Sequence, residues 1–141
     1  MELNNLKQKL LKLGEKIGLQ VQEHNEDVLS LHTAIVAKDY FPEAVYCRLV
    51  AYQSGTIHLF LTFNEVEKTT DRLFIINNFN ENNPWFKAYI TTINDKDYFE
   101  LHYSAYGLKE EGETVDAFGF MLNALLEQTT VENIRAILAD E

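Results

Sequence analysis

Three histidines, His32, His58 and His102, each fall on the polar side of an alternating apolar and polar stretch. Imidazole is the commonest metal ligand, so three of them on one sheet face raise the idea of a metal-dependent site. The order of elements works against convergence. If the stretches 28–37, 45–52 and 56–63 form a meander, His32 and His58 are separated by the intervening strand. That puts them about 9–10 Å apart at the backbone, whereas each ligand of a zinc ion sits roughly 2 Å from it. The simpler reading is three solvated imidazoles, and no metal or cofactor is expected.

Other reactive side chains have similarly plain explanations. Cys47 is the only cysteine and falls on the apolar side of its stretch, so it reads as a small core residue. A nucleophilic or redox role would need an accessible thiol of low pKa. Asp95 and Asp97 flank Lys96 in a tight connection without the further ligands of a calcium loop. Glu110, Glu111, Glu113 and Asp116 cluster near a helix start, where the helix dipole favours negative charge. The run Asn77, Asn78, Asn80, Asn82, Asn83, Pro84 reads as a helix stop, with ligand binding as the alternative. There is no phosphate-cradling glycine loop, no zinc-type spacing and no nucleophile elbow. No catalytic residues are assigned, and the chain is not expected to be an enzyme.

A different chemistry is suggested by Tyr46, Arg48, Tyr52, Phe60, Tyr89 and Tyr98, joined by Tyr106. All carry the parity opposite to the core residues of their strands. Tyrosine and arginine are enriched where proteins bind proteins, so these residues form a candidate protein-binding face. The alternative is a solvated sheet face rich in aromatics that favour strands.

The elements that must position these groups follow from periodicity. Leu3, Leu6, Leu10, Leu13 and Ile17 form the stripe of an N-terminal helix that Gly18 would end. Residues 28–37, 45–52 and 56–63 alternate as three strands of a meander. Asn64 and Glu67 have the spacing of a capping box, which predicts a helix from there to the asparagine run. Residues 85–93 and 98–106 form a hairpin across the connection 94–97. After an acidic loop over 107–112, Thr114 would start a helix carrying Val115, Phe118, Leu122 and Leu125. Thr129 and Glu132 resemble a second capping box before a short final helix or a kinked extension. The expected fold is therefore a two-layer α+β domain of order α-βββ-α-ββ-α. Its five-stranded antiparallel sheet would carry the helices on one face.

At 141 residues the chain fits one domain, 1–141, and can bury a core without disulfide or metal. Its 22 acidic and 12 basic residues give a net charge of −10, which argues against nucleic acid or anionic lipid as partners. No apolar run is long enough for a membrane span. With a single cysteine and no hydrophobic signal core, the cytoplasm is the expected location.

One family resemblance adds to these readings. The element order, the passage from Lys12-Leu13-Gly14 into Ile17-Gly18-Leu19, and residues 73–80 leading into Phe86-Lys87-Ala88-Tyr89 resemble the YbjN-like bacterial proteins. The resemblance implies a fold like that of type III secretion chaperones, which bind other polypeptides and often dimerise. It also implies a label as sensory-transduction regulators, and it supplies no catalytic residues. The expectation is a non-enzymatic protein-binding or chaperone-like regulatory module with a protein partner, possible as a homodimer. The alternatives are a small-molecule sensor with a pocket between sheet and helices, and a metal-dependent enzyme using His32, His58 or His102.

Overall fold

The sheet has one more strand than periodicity predicts. In a computed structural model, which describes residues 1–139 except for the side chain of Lys16, six strands form one antiparallel sheet. They are β1 (Gln20–His24), β2 (Val28–Ile35), β3 (Val45–Tyr52), β4 (Ile57–Glu65), β5 (Lys87–Ile93) and β6 (Lys96–Ala105). Their spatial order is β1-β2-β3-β4-β6-β5. The described helices are α1 (Leu3–Leu13), α2 (Thr70–Asn82), α3 (Glu111–Leu125) and α4 (Gln128–Leu138), with a single 3₁₀ turn at Glu15–Ile17. The five-stranded sheet of order α-βββ-α-ββ-α is thus corrected to a six-stranded one, with four helices.

The missed strand is β1. Its sequence, Gln-Val-Gln-Glu-His, has one apolar residue and all five positions are exposed. It has no apolar face to read. Backbone pairing to β2 holds it instead, together with a hydrogen bond from the Ser30 hydroxyl to Gln22 Oε1 at 2.9 Å.

The second helix begins later than the Asn64 cap predicts. A register shift between Thr62 and Glu65 carries β4 on to Glu65, and the Val66 N–H then donates to the Asp97 carbonyl at 2.9 Å. Thr69 is the residue that caps α2, accepting from the Arg72 N–H at 3.1 Å. The asparagine run does not stop the helix at Asn77. It lies in the last two turns, anchored by buried Ile76 and Phe79, and Asn83 is the stop. Asn83 Oδ1 accepts from the N–H groups of Trp85 and Phe86, turning the chain into β5.

Two further starts differ. Helix α3 begins at Glu111, so Thr114 lies in its first turn, fully buried with its hydroxyl on Met1 Sδ at 3.1 Å. Helix α4 begins after Glu127 with no side-chain cap, and no box closes at Thr129. At the other end, α1 stops at Leu13, capped by the Gly14 N–H on the Leu10 carbonyl; Gly18, at φ +73°, ends the 3₁₀ turn.

The core forms on one side of the sheet. Leu31, Leu49, Leu59, Leu61, Phe99 and Leu101 point inward and pack in one cluster with residues of all four helices, among them Leu6, Phe79, Phe118 and Ile134. These side chains are at most 3% exposed, and each contributes roughly 1.5–3 kcal/mol by leaving water. Helices on a single face leave the other face of the sheet open. That open face carries the candidate residues.

Candidate protein-binding face

Antiparallel register places one residue from each strand on the same line across the sheet. On the open face the central line runs Gln20, His32, Arg48, Phe60, His102, Lys87 from β1 to β5. Its middle is a stack. The Arg48 guanidinium carbon sits 4.6 Å from the Phe60 ring centroid. The His102 ring lies on the other side of Phe60, 4.6 Å away and within 9° of parallel. A cation over an aromatic face is attracted by the ring quadrupole, which favours this placement of Arg48.

The neighbouring lines reinforce this stack. His58 Nδ1 is 2.9 Å from His102 Nε2, and the His58 ring also stacks on Phe60 at 5.9 Å. Tyr52 meets His58 edge-on at 6.1 Å. Tyr46 hydroxyl and His32 Nδ1 are 3.0 Å apart. On the far side the Glu100 carboxylate accepts from the Thr62 hydroxyl at 2.9 Å and from the Tyr89 hydroxyl. Burial, followed by that hydrogen bond and the Glu100 charge, pushes the Tyr89 phenol up, so it stays a neutral donor.

The six residues singled out by parity therefore share one face. Tyr46 and Tyr52 are each 40% exposed, and Arg48 and Phe60 are half-buried between them. Tyr89 is tied to Glu100, and Tyr98 lies further along β6 opposite Glu65 and Thr91. Tyr106 falls just past the end of β6 and is largely exposed. Beside the stack runs an open trough of about 750 Å³, floored by Ser30 and Val50 and walled by Arg48, Phe60, His58 and Tyr52, with Glu23 at its rim.

Periodicity gives three solvated imidazoles on one face and separates only His32 from His58. His32 is indeed apart, bonded to Tyr46, but His58 and His102 touch. The missing information was that β4 pairs with β6, which sets Phe60 opposite His102 and His58 opposite Ser104. Burial, then the neighbouring His58 and Lys87, lowers the His102 pKa against an opposing effect of Glu100. Among the described residues, no three His, Cys, Asp or Glu side chains are grouped so as to hold a metal ion.

The remaining reactive residues are structural. Burial pushes the Cys47 thiol up to about 12, so it is a protonated core residue. Asn94 and Asp95, at φ 52° and 66°, make the two-residue hairpin turn, and Asp97 accepts from the Thr92 hydroxyl at 2.6 Å. Glu110, Glu111 and Glu113 occupy the N-terminus and first turn of α3, where its dipole favours them. Within the described residues no helix is long and apolar enough to cross a membrane. No family model, no curated protein and no solved structure matches this chain.

Proposed function

We propose that the chain is a non-catalytic polypeptide-binding module whose contact surface is the open sheet face. The observation that supports this most is the stack of Arg48, Phe60 and His102, flanked by Tyr46 and Tyr52 and carried by the central strands of the sheet. Binding energy at protein interfaces concentrates in such tyrosine, arginine and aromatic anchors. These anchors are held in place before any partner arrives, which lowers the ordering cost of association. The resemblance of 73–80 and Phe86-Lys87-Ala88-Tyr89 to the YbjN-like proteins, with their regulatory label and chaperone-like fold, belongs to the same proposal.

The test is the double substitution Tyr52→Ala, Phe60→Ala. Affinity capture from the native cell identifies the partner, and sedimentation measures self-association. An anchor truncated at the centre of an interface weakens binding by ~2 kcal/mol or more. The folded variant should therefore lose its partner by well over tenfold. A folded variant that captures the partner and sediments like the parent protein overturns the assignment of this face.

A further inference from the structure

The two edges of the sheet, β1 and β5, are finished differently. At β1 a register shift between Val21 and Glu23 interrupts the strand, and Glu23 puts a charge on it. Bulges and charges of this kind keep an edge from pairing with another chain. At β5 the side chain of Asn80 closes Ala88, taking both its N–H and its carbonyl. Outward-pointing residues alternate along an antiparallel strand, so Ile90 and Thr92 follow Ala88 with their backbone groups directed off the sheet. Among the described residues, Asn80 is the one side chain that bonds to the β5 backbone. From Ala88 to Ile93 there is no charge, no proline and no break in register. Half of this edge is therefore capped and half is open.

Helix α2 runs back along the open half. Asn80 and Leu73, seven residues apart, share one side of the helix, and Asn80 fixes that side against β5. Leu73 lies about 10 Å before Asn80 along the helix, and Thr91 lies about 10 Å beyond Ala88 along the strand. The chain reverses between α2 and β5, so Leu73 flanks the edge near Thr91. Leu73 is exposed, as is Ile93 at the end of the strand.

We propose that the open half-edge pairs with the same segment of a second copy, β5 against β5, antiparallel across a two-fold axis at Thr91. Asn80 limits the ladder at one end and the turn at Asn94 and Asp95 limits it at the other, which leaves Tyr89 to Ile93 with Thr91 at the midpoint. In that register Ile90 of each copy meets Thr92 of the other, and all their outward N–H and carbonyl groups are paired. Thr91 meets its own copy, and Tyr89 meets Ile93. Aromatic, β-branched and threonine pairs of this kind are favourable across antiparallel strands. No charges face each other in this segment, which matters for two molecules that each carry −10. A contact that joins one patch to itself closes as a dimer and does not propagate. The two sheets become continuous, with both open faces on the same side. The pairing is independent of the binding role of those faces, because Phe60 on β4 is two strands away from β5.

The test is sedimentation of the full chain up to about 1 mM, because so short a contact belongs to the weak, reversible class of interfaces. The parent protein should show a monomer–dimer equilibrium. Thr91→Lys sets two like charges opposite each other and should weaken it about fivefold or more. Thr92→Pro removes an outward N–H without touching the ladder to β6, and should weaken it as well. Thr91→Cys supplies a readout that does not depend on those variants folding. Cα atoms of a non-hydrogen-bonded antiparallel pair are about 4.5 Å apart, within disulfide range, and the native Cys47 is fully buried. Under mild oxidation Thr91→Cys should form a reducible dimer faster than Gln20→Cys on the opposite edge. A parent protein that stays monomeric at about 1 mM overturns the proposal. So does a dimer that folded Thr91→Lys and Thr92→Pro leave unchanged, or a Thr91→Cys chain that crosslinks no faster than Gln20→Cys. A dimer lost in the Tyr52→Ala, Phe60→Ala variant, but kept in Thr91→Lys, would seat the second copy on the open face instead. Protection of the Ile90 and Thr92 amides by a captured partner, in a chain that never dimerises, would assign the edge to an extended segment of another protein.

Discussion

His58 Nδ1 lies 2.9 Å from His102 Nε2, so the β4–β6 ladder brings two imidazoles within hydrogen-bond distance. If both facing nitrogens carried hydrogen, two donors would meet with no acceptor between them. Burial and the neighbouring charges of His58 and Lys87 already disfavour the charged form of His102.

The first prediction is a pH dependence with a definite sign. The folded pKa of His102 is below its unfolded value of 6.5. The unfolded chain then takes up the proton first as pH falls, so the stability tied to neutral His102 is complete above pH 6.5. It is lost as pH drops from there through the lower folded value. Denaturant melts at pH 7.5 and pH 5 should show this loss, and His102→Gln should reduce it. An imidazole titration of His102 at or above 6.5 would contradict the assignment.

Asn80 leads to the second prediction. Its side chain donates to the Ala88 carbonyl at 2.9 Å and accepts from the Ala88 N–H at 2.7 Å. Those backbone groups point away from the sheet at its edge strand β5, where they could otherwise recruit another strand. Asn80→Ala should cost about 1–3 kcal/mol, because the orphaned groups lie in a part-buried site. It should also raise the tendency to self-associate, read by sedimentation. Unchanged melts would show that water replaces the amide without loss.

The third prediction tests the core side of the sheet. Leu61 is fully buried, in register between Cys47 on β3 and Leu101 on β6. Leu61→Ala should destabilise by about 2–5 kcal/mol in denaturant melts. A loss below about 0.5 kcal/mol is what a surface position gives and would invalidate the strand register.

Leu61 also shows what was legible in the sequence. Strict alternation of apolar residues fixed the inward and outward faces of β2 to β6, and with them the shared face of Tyr46, Arg48, Tyr52, Phe60, Tyr89 and Tyr98. β1 was illegible because its five residues bury nothing, so its placement depends on backbone pairing that has no side-chain signature. The asparagines of α2 read as a helix stop, but their intrinsic preference is a weak prior, at most about 0.7 kcal/mol per residue against alanine. Burial of Ile76 and Phe79 outweighs it. The His58–His102 contact joins residues 44 apart in the chain and depends on which strand β6 chooses as neighbour. Local periodicity is silent on that choice.

Arg72 provides the last prediction, which concerns dynamics at the C-terminal end of the core. It stands in the first turn of α2, yet its guanidinium reaches the end of α4. It donates to the Ile137 carbonyl at 2.8 Å and to the Ala139 carbonyl at 2.9 Å, and also to the Glu67 carbonyl. The last carbonyls of a helix have no partner within the helix, and their end of the dipole favours a cation. Arg72 therefore caps α4 from another element and ties it to the β4–α2 connection. Hydrogen bonds to a charged donor contribute about 1.5–3 kcal/mol each, less where solvent competes. Arg72→Met keeps much of the aliphatic packing and removes all three bonds, so a loss of about 2 kcal/mol is expected. Amide exchange in α4, at Ile134 and Ile137, should accelerate more than exchange at Leu61 or Leu101, because a local opening of the helix is released while the sheet stays closed. Arg72→Lys should restore only part of the protection, since an ammonium lacks the fork that spans three carbonyls. Uniform acceleration across α4 and the sheet would mean instead that Arg72 stabilises the whole core rather than this helix end.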